Sequence, residues 1–406
     1  MSRLDEILTA ERLAAINAPI EQACGLPAEA YTDQAFFEAE QNLLFPRSWM
    51  AVAFDTDIAE IGDAMPVTVC GTPLILVRSS ASEVLALHNV CRHRATLVLP
   101  EATSGLKQFQ CPYHAWTYAL DGKLLATPFW DGTPGSSRCP VDPDHNSLVP
   151  VACEVWKHVI LVNLSGDAAP IAEYATLFER EFGHVSLDEL GLVHRRAWEF
   201  SANWKLVMDN WEVYHHVWVH HGIFDRMSDE VDFTTGEPYT DSLAEGNVMM
   251  LKGKFERPPR DLQGQRELPP LPLSGDGALP PGAANALLPN LTLTVTRTAF
   301  APAIYVPIAP GVTRAEMAWF IAPEALDKDD YATGRKDLLD RWLGKSRQFN
   351  DRSGVRSQDH ACMEWQQLAR GSPVANDVKF SATWERDVYY FQRWIVARLT
   401  DTPPPR

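Results

Sequence analysis

Residues 91–116 read CRHRATLVLPEATSGLKQFQCPYHAW, and the pattern inside them decides the fold. Cys91-Arg-His93 is followed, after seventeen residues, by Cys111-Pro-Tyr-His114. Each short loop offers one thiol and one imidazole. Two sulfurs and two ring nitrogens suit a tetrahedral zinc ion. They also suit a [2Fe–2S] centre in which two histidines replace two cysteines on one iron. Zinc loops more often run Cys-x2–4-Cys, so a Cys-x-His loop favours the two-iron cluster. Each loop would then give its cysteine to one iron and its histidine to the other. Neutral imidazole in place of thiolate raises the potential, which lets the site accept electrons from a ferredoxin-type donor.

Working outward, residues 49–164 carry short apolar runs. MPVTVCG (65–71), TPLILVRSS (72–80), EVLALHNV (83–90), KQFQCPY (107–113) and KHVILVNLSG (157–166) end in Gly, Ser or other turn signals. They predict a small antiparallel β domain presenting two metal loops at one tip. Residues 1–45 read as helical, with Thr32 or Asp33 as a cap. Beyond 166 the pattern mixes helices with a β meander. LTLTVT (291–296), AIYVPIAPG (303–311) and AEMAWFIAP (315–323) read as strands, and 338–349 and 385–399 have helical periodicity. The stretch 258–289 holds eight prolines and is expected to lack regular structure, as a surface loop or a lid over a pocket.

With 406 residues the chain has room for two or three domains. A hydrophobic content of 46% and a charged content of 22% describe an ordinary globular protein. The net charge of −17 argues against nucleic acid or an anionic membrane surface as partner. The opening MSRLDEILTAERLAAIN is not a signal peptide, and no apolar run approaches eighteen residues, so a cytoplasmic protein is expected. Seven cysteines over this length are not a disulfide framework. With Cys91 and Cys111 assigned to metal, Cys24, Cys70, Cys139, Cys153 and Cys362 read as buried thiols. No Gly-x-Gly-x-x-Gly and no P-loop is present, so electrons must come from another protein.

A second metal-binding candidate is SANWKLVMDNWEVYHHVWVHHGIF (201–224), with four histidines in seven residues. His215 and His220 are five apart, as are His216 and His221. Five residues of α-helix advance about 500°, leaving side chains about 140° apart. Such a pair meets at one ion only if the helix widens to a π-turn or ends between them. Read alone, the segment is equally an amphipathic helix with ordinary histidines.

The stretch 88–128, HNVCRHRATLVLP…FQCPYHAWTYALDGKLLATP, closely resembles the Rieske domain of the non-haem iron ring-hydroxylating oxygenases, α subunit. Pro112, Tyr113, Trp116, Asp121 and Gly122 stand where that family has them. Ala95 and Ala115 replace residues that are often glycine. Thr96 and Tyr113 occupy the positions at which respiratory Rieske proteins carry an extra cysteine. Segment 201–224 resembles the family's iron motif through Asn203-Trp204-Lys205, Asp209-Asn210, Glu212, Tyr214-His215 and His220. From Asn210 to His215 it is one residue shorter than typical members. The register His216/His221 restores the count but loses the Tyr-His pair and puts Val213 three residues before the first ligand. His215 and His220 are therefore preferred.

The resemblance implies an α+β fold: an N-terminal helical segment (1–45) packing on the catalytic domain, an antiparallel β Rieske domain (46–165) and a helix-grip (Bet v 1/START-like) catalytic domain (166–406). It implies a Rieske [2Fe–2S] cluster on Cys91, His93, Cys111 and His114. It also implies mononuclear Fe(II) on His215, His220 and a downstream carboxylate. The family's Asp-x4-Glu-x2-Gln helix maps onto Asp359, Glu364 and Gln367, with Gly371 after it, so Asp359 is the implied third ligand and Asp351 the alternative. Without the resemblance, Asp359 would be a helix-start aspartate favoured by the dipole. In the family, the acid at Glu212 hydrogen-bonds a Rieske histidine of the neighbouring subunit, within a ring that is most often a homotrimer. The alternative for Glu212 is a surface glutamate.

The implied activity is oxygenation of a small molecule with O2 and electrons from a flavin/iron–sulfur reductase, directly or through a ferredoxin. Glutamate at 212 resembles the quaternary-ammonium-oxidising branch, which points to hydroxylation or N-demethylation of a betaine-like compound. Trp211, Tyr214, Trp218, Trp319 and Trp365 are candidate pocket walls, since aromatic faces attract a trimethylammonium group. An aromatic carboxylate is the alternative substrate. A non-catalytic electron carrier and a zinc-stabilised binding protein are the readings from other classes.

Overall fold

The computed structural model describes residues 2–133, 136, 140–211, 215, 242–252, 266–275, 277–280, 282–344, 355–403 and 405. The chain divides into two compact units, one of Phe45–Ile171 and one of Met1–Leu44 with Ala172–Arg406. Among the described residues no helix is long and apolar enough to cross a membrane.

In the first unit, strands β1 (Met50–Phe54), β2 (Ala64–Val69), β3 (Thr72–Ser80), β4 (Glu83–His88), β8 (Pro150–Trp156) and β9 (Val159–Asn163) form an antiparallel sheet. Its order is β1-β9-β8-β4-β3-β2. β9, VILVN, is buried at every position, as a central strand covered on both faces must be. A smaller sheet joins β5 (Phe109–Gln110), β6 (Thr117–Tyr118) and β7 (Leu124–Ala126). Gly122 turns the chain between β6 and β7 at φ +87°, and a Cβ there would press Leu87 and Leu148 at 3.2 Å. Glycine is thus required both by the backbone and by the space. A core of Ile75, Val77, Leu87, Val98, Leu99, Phe109, Trp116 and Tyr118 lies under the two loops and includes Cys91 and Cys111. The run KQFQCPY shrinks to a two-residue strand because the chain turns into the second loop at Cys111.

The second unit is built on a seven-stranded antiparallel sheet. It comprises β10 (Gly191–Phe200), β11 (Ser242–Glu245), β12 (Val248–Lys252), β13 (Ala283–Leu287), β14 (Leu291–Val295), β15 (Phe300–Ala309) and β16 (Val312–Ile321). The order is β10-β16-β15-β14-β13-β12-β11. Pairing fixes which residues share a face, because side chains alternate along each strand. Met249, Ala286, Thr292, Ala303, Met317 and Arg196 form one cross-strand row. Ser242 lies on that same face and donates to Asp387 of the helix Arg386–Thr400. Trp198 and Phe200, also on it, touch His360 of the helix Val355–Ala369. Lys252, on the opposite face, bonds Glu181 of the helix Thr176–Phe182. The two long helices therefore cover one face. The central strands give that face Ala286, Ala303 and Thr292, and the other face Leu287, Leu291, Leu293 and Ile304.

Several expectations are corrected. The 258–289 stretch is not wholly irregular: Ala283–Leu287 is β13, paired on both edges by β12 and β14. Two-sided pairing overrides the weak strand propensity of AANAL. Residues 258–265, 276 and 281 of that stretch lie outside the described residues. The helix expected over 338–349 begins at Ala332 and ends at Leu343, where Gly344 takes φ +80°. The N-terminal segment is a series of short helices, with Asp33 accepting from the backbone N–H groups of Ala35 and Phe36, followed by a π-helical turn at Glu40–Leu44. Cys24, Cys70, Cys153 and Cys362 are partly buried rather than fully so, and Cys139 lies outside the described residues. Lys379 reaches Cys24 Sγ at 3.0 Å, so that thiol has a polar partner.

Candidate metal centres

The two Cys/His loops have the same backbone design. In the first, Cys91 N–H donates to the Thr96 carbonyl at 2.8 Å and Ala95 N–H to the Cys91 carbonyl at 3.0 Å. In the second, Cys111 N–H donates to the Trp116 carbonyl at 2.8 Å and Ala115 N–H to the Cys111 carbonyl at 3.0 Å. Ala95 and Ala115 both adopt φ +57°. That left-handed conformation is one that glycine adopts more readily than alanine. Asn89 closes the first loop, accepting from Val98 and Leu99 N–H and donating to the Leu99 carbonyl.

The side chains converge. Cys91 and Cys111 are each 2% exposed. The His93 and His114 rings lie 4.6 Å apart. Trp116 stacks flat on His93 at 4.9 Å, Trp130 flanks it at 5.9 Å, and Tyr113 covers His114 at 3.8 Å. Tyr118 Oη accepts from Arg92 N–H at 3.0 Å and lies 3.3 Å from Cys91 Sγ. The hydroxyl proton is thereby left to donate to sulfur. Burial, and then the neighbouring Cys91 sulfur, raise the Cys111 thiol. Burial, His114 and Arg94 hold the His93 imidazole below its usual range and so favour its neutral form. His93 Nδ1 is buried and meets no hydrogen-bond partner. Two buried sulfurs beside a neutral imidazole with an unmet ring nitrogen fit the donor set of a Cys2His2 [2Fe–2S] cluster.

The motif residues of the second centre are held by a buried polar network. Lys205 and Glu40 are both 0% exposed and pair at 2.6 Å, and Trp204 Nε1 donates to the other Glu40 oxygen at 3.0 Å. Burial pushes Glu40 up and Lys205 down, each opposed by the other's charge. Tyr31, Phe36 and Trp204 ring the ammonium at 5.2–5.4 Å. Asp209 accepts from Tyr31 Oη and from Gln392 Nε2. On the Val355–Ala369 helix, Glu364 accepts from Ser201 N–H at 2.9 Å, and Gln367 from Asn203 N–H at 2.9 Å. Glu364 and Gln367 are three residues apart and share a helix face. That face docks the helix onto the residues leading into Lys205–Asp209.

Asp359, on the same helix, is 8% exposed. His215 stacks near Trp384 at 6.0 Å, with Nδ1 3.5 Å from Glu385 Oε1. Glu212, His220, the alternatives His216, His221 and Asp351, and the aromatics Tyr214 and Trp218 lie outside the described residues. Trp211 and Trp319 are buried, and Trp365 is 57% exposed. Sequence reading missed Tyr31, Glu40 and Gln392. The one available signal was Glu40, an acid inside the apolar run before Phe45.

Residues 48–135 match the Rieske [2Fe–2S] domain, and residues 187–401 match the ring hydroxylating alpha subunit (catalytic domain). The chain belongs to the ring-hydroxylating alpha-subunit family of Rieske non-haem iron oxygenases. Its two domains imply a Rieske [2Fe–2S] cluster and a mononuclear iron. It is 29% identical over 218 residues to the carnitine monooxygenase oxygenase subunit of Acinetobacter pittii, covering 53% of this chain and 57% of that subunit. The match thus spans little more than half of that relative's length. It is 24% identical over 385 residues to the chloroplastic choline monooxygenase of Atriplex hortensis, covering 93% of this chain and 78% of that protein. The crystal structure of the quaternary ammonium Rieske monooxygenase CntA with L-carnitine shares the fold. Its TM-score is 0.71 at 23% identity, with 95% of this chain and 98% of that one covered.

Proposed function

We propose that this chain is the oxygenase component of a system that uses O2 and reductase-derived electrons to hydroxylate or N-demethylate a small quaternary ammonium compound. The observation that carries the redox half is the paired loops, with two buried thiols under two imidazoles 4.6 Å apart. The substrate class is supported by relatives named for carnitine, choline and glycine betaine.

Cys91, His93, Cys111 and His114 would hold the cluster, and His215, His220 and Asp359 the iron. When bound, these groups supply one-electron transfer and an open position for O2. The rest falls to the chain. Trp116 and Tyr113 shield the two imidazoles, and Tyr118 steadies a cysteine sulfur. The Glu40–Lys205 pair and the Glu364 and Gln367 contacts fix the elements that carry the iron ligands. Glu212 would orient a ligand histidine and meet a cluster histidine of a neighbouring copy in a homotrimer. Tyr113, Phe129 and Trp130 are each 50–60% exposed beside the cluster loops, a surface suited to that neighbour. Electrons would come from a flavin/iron–sulfur reductase, and the setting is the cytoplasm.

The test is metal and acid-labile sulfide analysis of anaerobically purified protein, with EPR after dithionite. Roughly three irons and two sulfides per chain are expected. Asp359→Ala and His215→Ala should each fall to two irons with the cluster signal intact, whereas His216→Ala should keep three. Full iron in His215→Ala would overturn the ligand register. Zinc without sulfide would end the oxygenase reading.

A further inference from the structure

β10 pairs with β16 so that Arg196 faces Met317, Trp198 faces Ala315 and His194 faces Trp319. Alternation puts Arg196, Trp198 and Trp319 on the face that the two long helices cover, in line with Ala303 and Thr292. The helix carrying Asp359 lies over the same strand, since His360 is 5.2 Å from the Trp198 ring and 4.7 Å from Phe200.

Every polar group in this trio is a donor. Trp319 is 0% exposed, and its indole N–H meets no acceptor. The Trp198 N–H is buried and equally unmet. Arg196 is half-buried and has no carboxylate partner among the described residues. Burial alone acts on its guanidinium, lowering its pKa. The next residue gives the contrast: Arg195 points to the other face and pairs with Glu316. Unmet buried donors on the same sheet face as an unpaired cation call for an acceptor-only, negatively charged partner, and a carboxylate meets that description. Toward the sheet centre, the fully buried Thr292 hydroxyl is also unmet.

We propose that Arg196, Trp198 and Trp319 form a carboxylate-binding cluster that holds the acidic end of the substrate. This rests on the oxygenase reading and narrows it: the substrate carries a carboxylate, at the opposite end from the group oxidised in a betaine-like molecule.

The test is equilibrium binding to anaerobic holoenzyme of glycine betaine, L-carnitine, benzoate and choline, the last having no carboxylate. At least one carboxylate should bind wild type. Arg196→Leu should weaken it tenfold or more and Trp319→Phe several-fold, while choline binding, where present, is unmoved. Iron content and the reduced EPR signal check that each variant is assembled. Should Arg196→Leu fail that check, Arg196→Lys takes its place, with a loss confined to the carboxylates expected. Arg196-dependent binding of benzoate alone would uphold the cluster and overturn the quaternary-ammonium reading. Equal losses for betaine and choline, unchanged carboxylate affinity in the variants, or no carboxylate binding at all would overturn the cluster.

Discussion

Ala95 and Ala115 each occupy a left-handed backbone position that an alanine Cβ disfavours by about 1–2 kcal/mol. Glycine removes that cost but adds unfolded-state entropy of about 0.4–1 kcal/mol. Ala115→Gly should therefore stabilise the protein by up to about 1 kcal/mol in urea unfolding, without moving the cluster's EPR signal. Tyr118, 3.3 Å from Cys91 Sγ, would act on the electronics of a cluster held there. A hydrogen bond to a cluster sulfur favours the reduced, more negative state. Tyr118→Phe should lower the midpoint potential by roughly 50 mV, the one-electron equivalent of about 1 kcal/mol, in an EPR-monitored redox titration. At this scale the sequence was highly legible. The Cys/His spacing named the two thiols and two imidazoles that the structure brings together, and alanine at the two left-handed positions was visible. What the spacing did not reveal was that Tyr118, twenty-seven residues from Cys91, bonds its sulfur.

Between elements, the fully buried Glu40–Lys205 pair joins the π-helical turn to the helix Lys205–Asp209. Removing one partner strands the other charge. Lys205→Met should cost about 3–5 kcal/mol, and Glu40→Leu added to it should restore part of that in the same chemical denaturation. Asp387, near the start of the Arg386–Thr400 helix, is 3% exposed, and burial raises its pKa to about 7. Ser242 and Arg386 oppose that rise. Between about pH 4 and 7 the unfolded chain loses this proton while the folded chain keeps it. Its contribution to stability therefore falls as pH rises through that window. Asp387→Asn should be more stable than wild type at pH 8, with the difference shrinking toward pH 4 in melts across that range. Strands β3, β4, β9, β14, β15 and β16 could be read from alternation and apolar runs. β13 could not: AANAL lacks strand formers, and only its neighbours on both edges make it a strand.

Across the whole molecule, sequence reading recovered a β unit with two Cys/His loops and a larger mixed unit, because each rests on local patterns. The anchoring of the first forty-four residues was harder. Tyr31 meets Gln392 across 361 positions, and Glu40 meets Lys205 across 165. No periodicity within one segment encodes a partner so remote, and a lone acid in an apolar run says only that some partner exists.

That arrangement has a consequence for the order in which the protein is made. The unit with the two Cys/His loops is an insertion between two pieces of the other unit, and it is built from one continuous stretch of chain. On the ribosome it can complete its sheets while Glu40, already synthesised, still waits for Lys205. Tyr31 meets Asp209 soon after, and the Arg386–Thr400 helix later adds Gln392 to both. The Phe45–Ile171 unit can thus mature first. The other unit closes only when the Arg386–Thr400 helix returns to Tyr31, so the early N-terminal segment spends about half of translation without a partner.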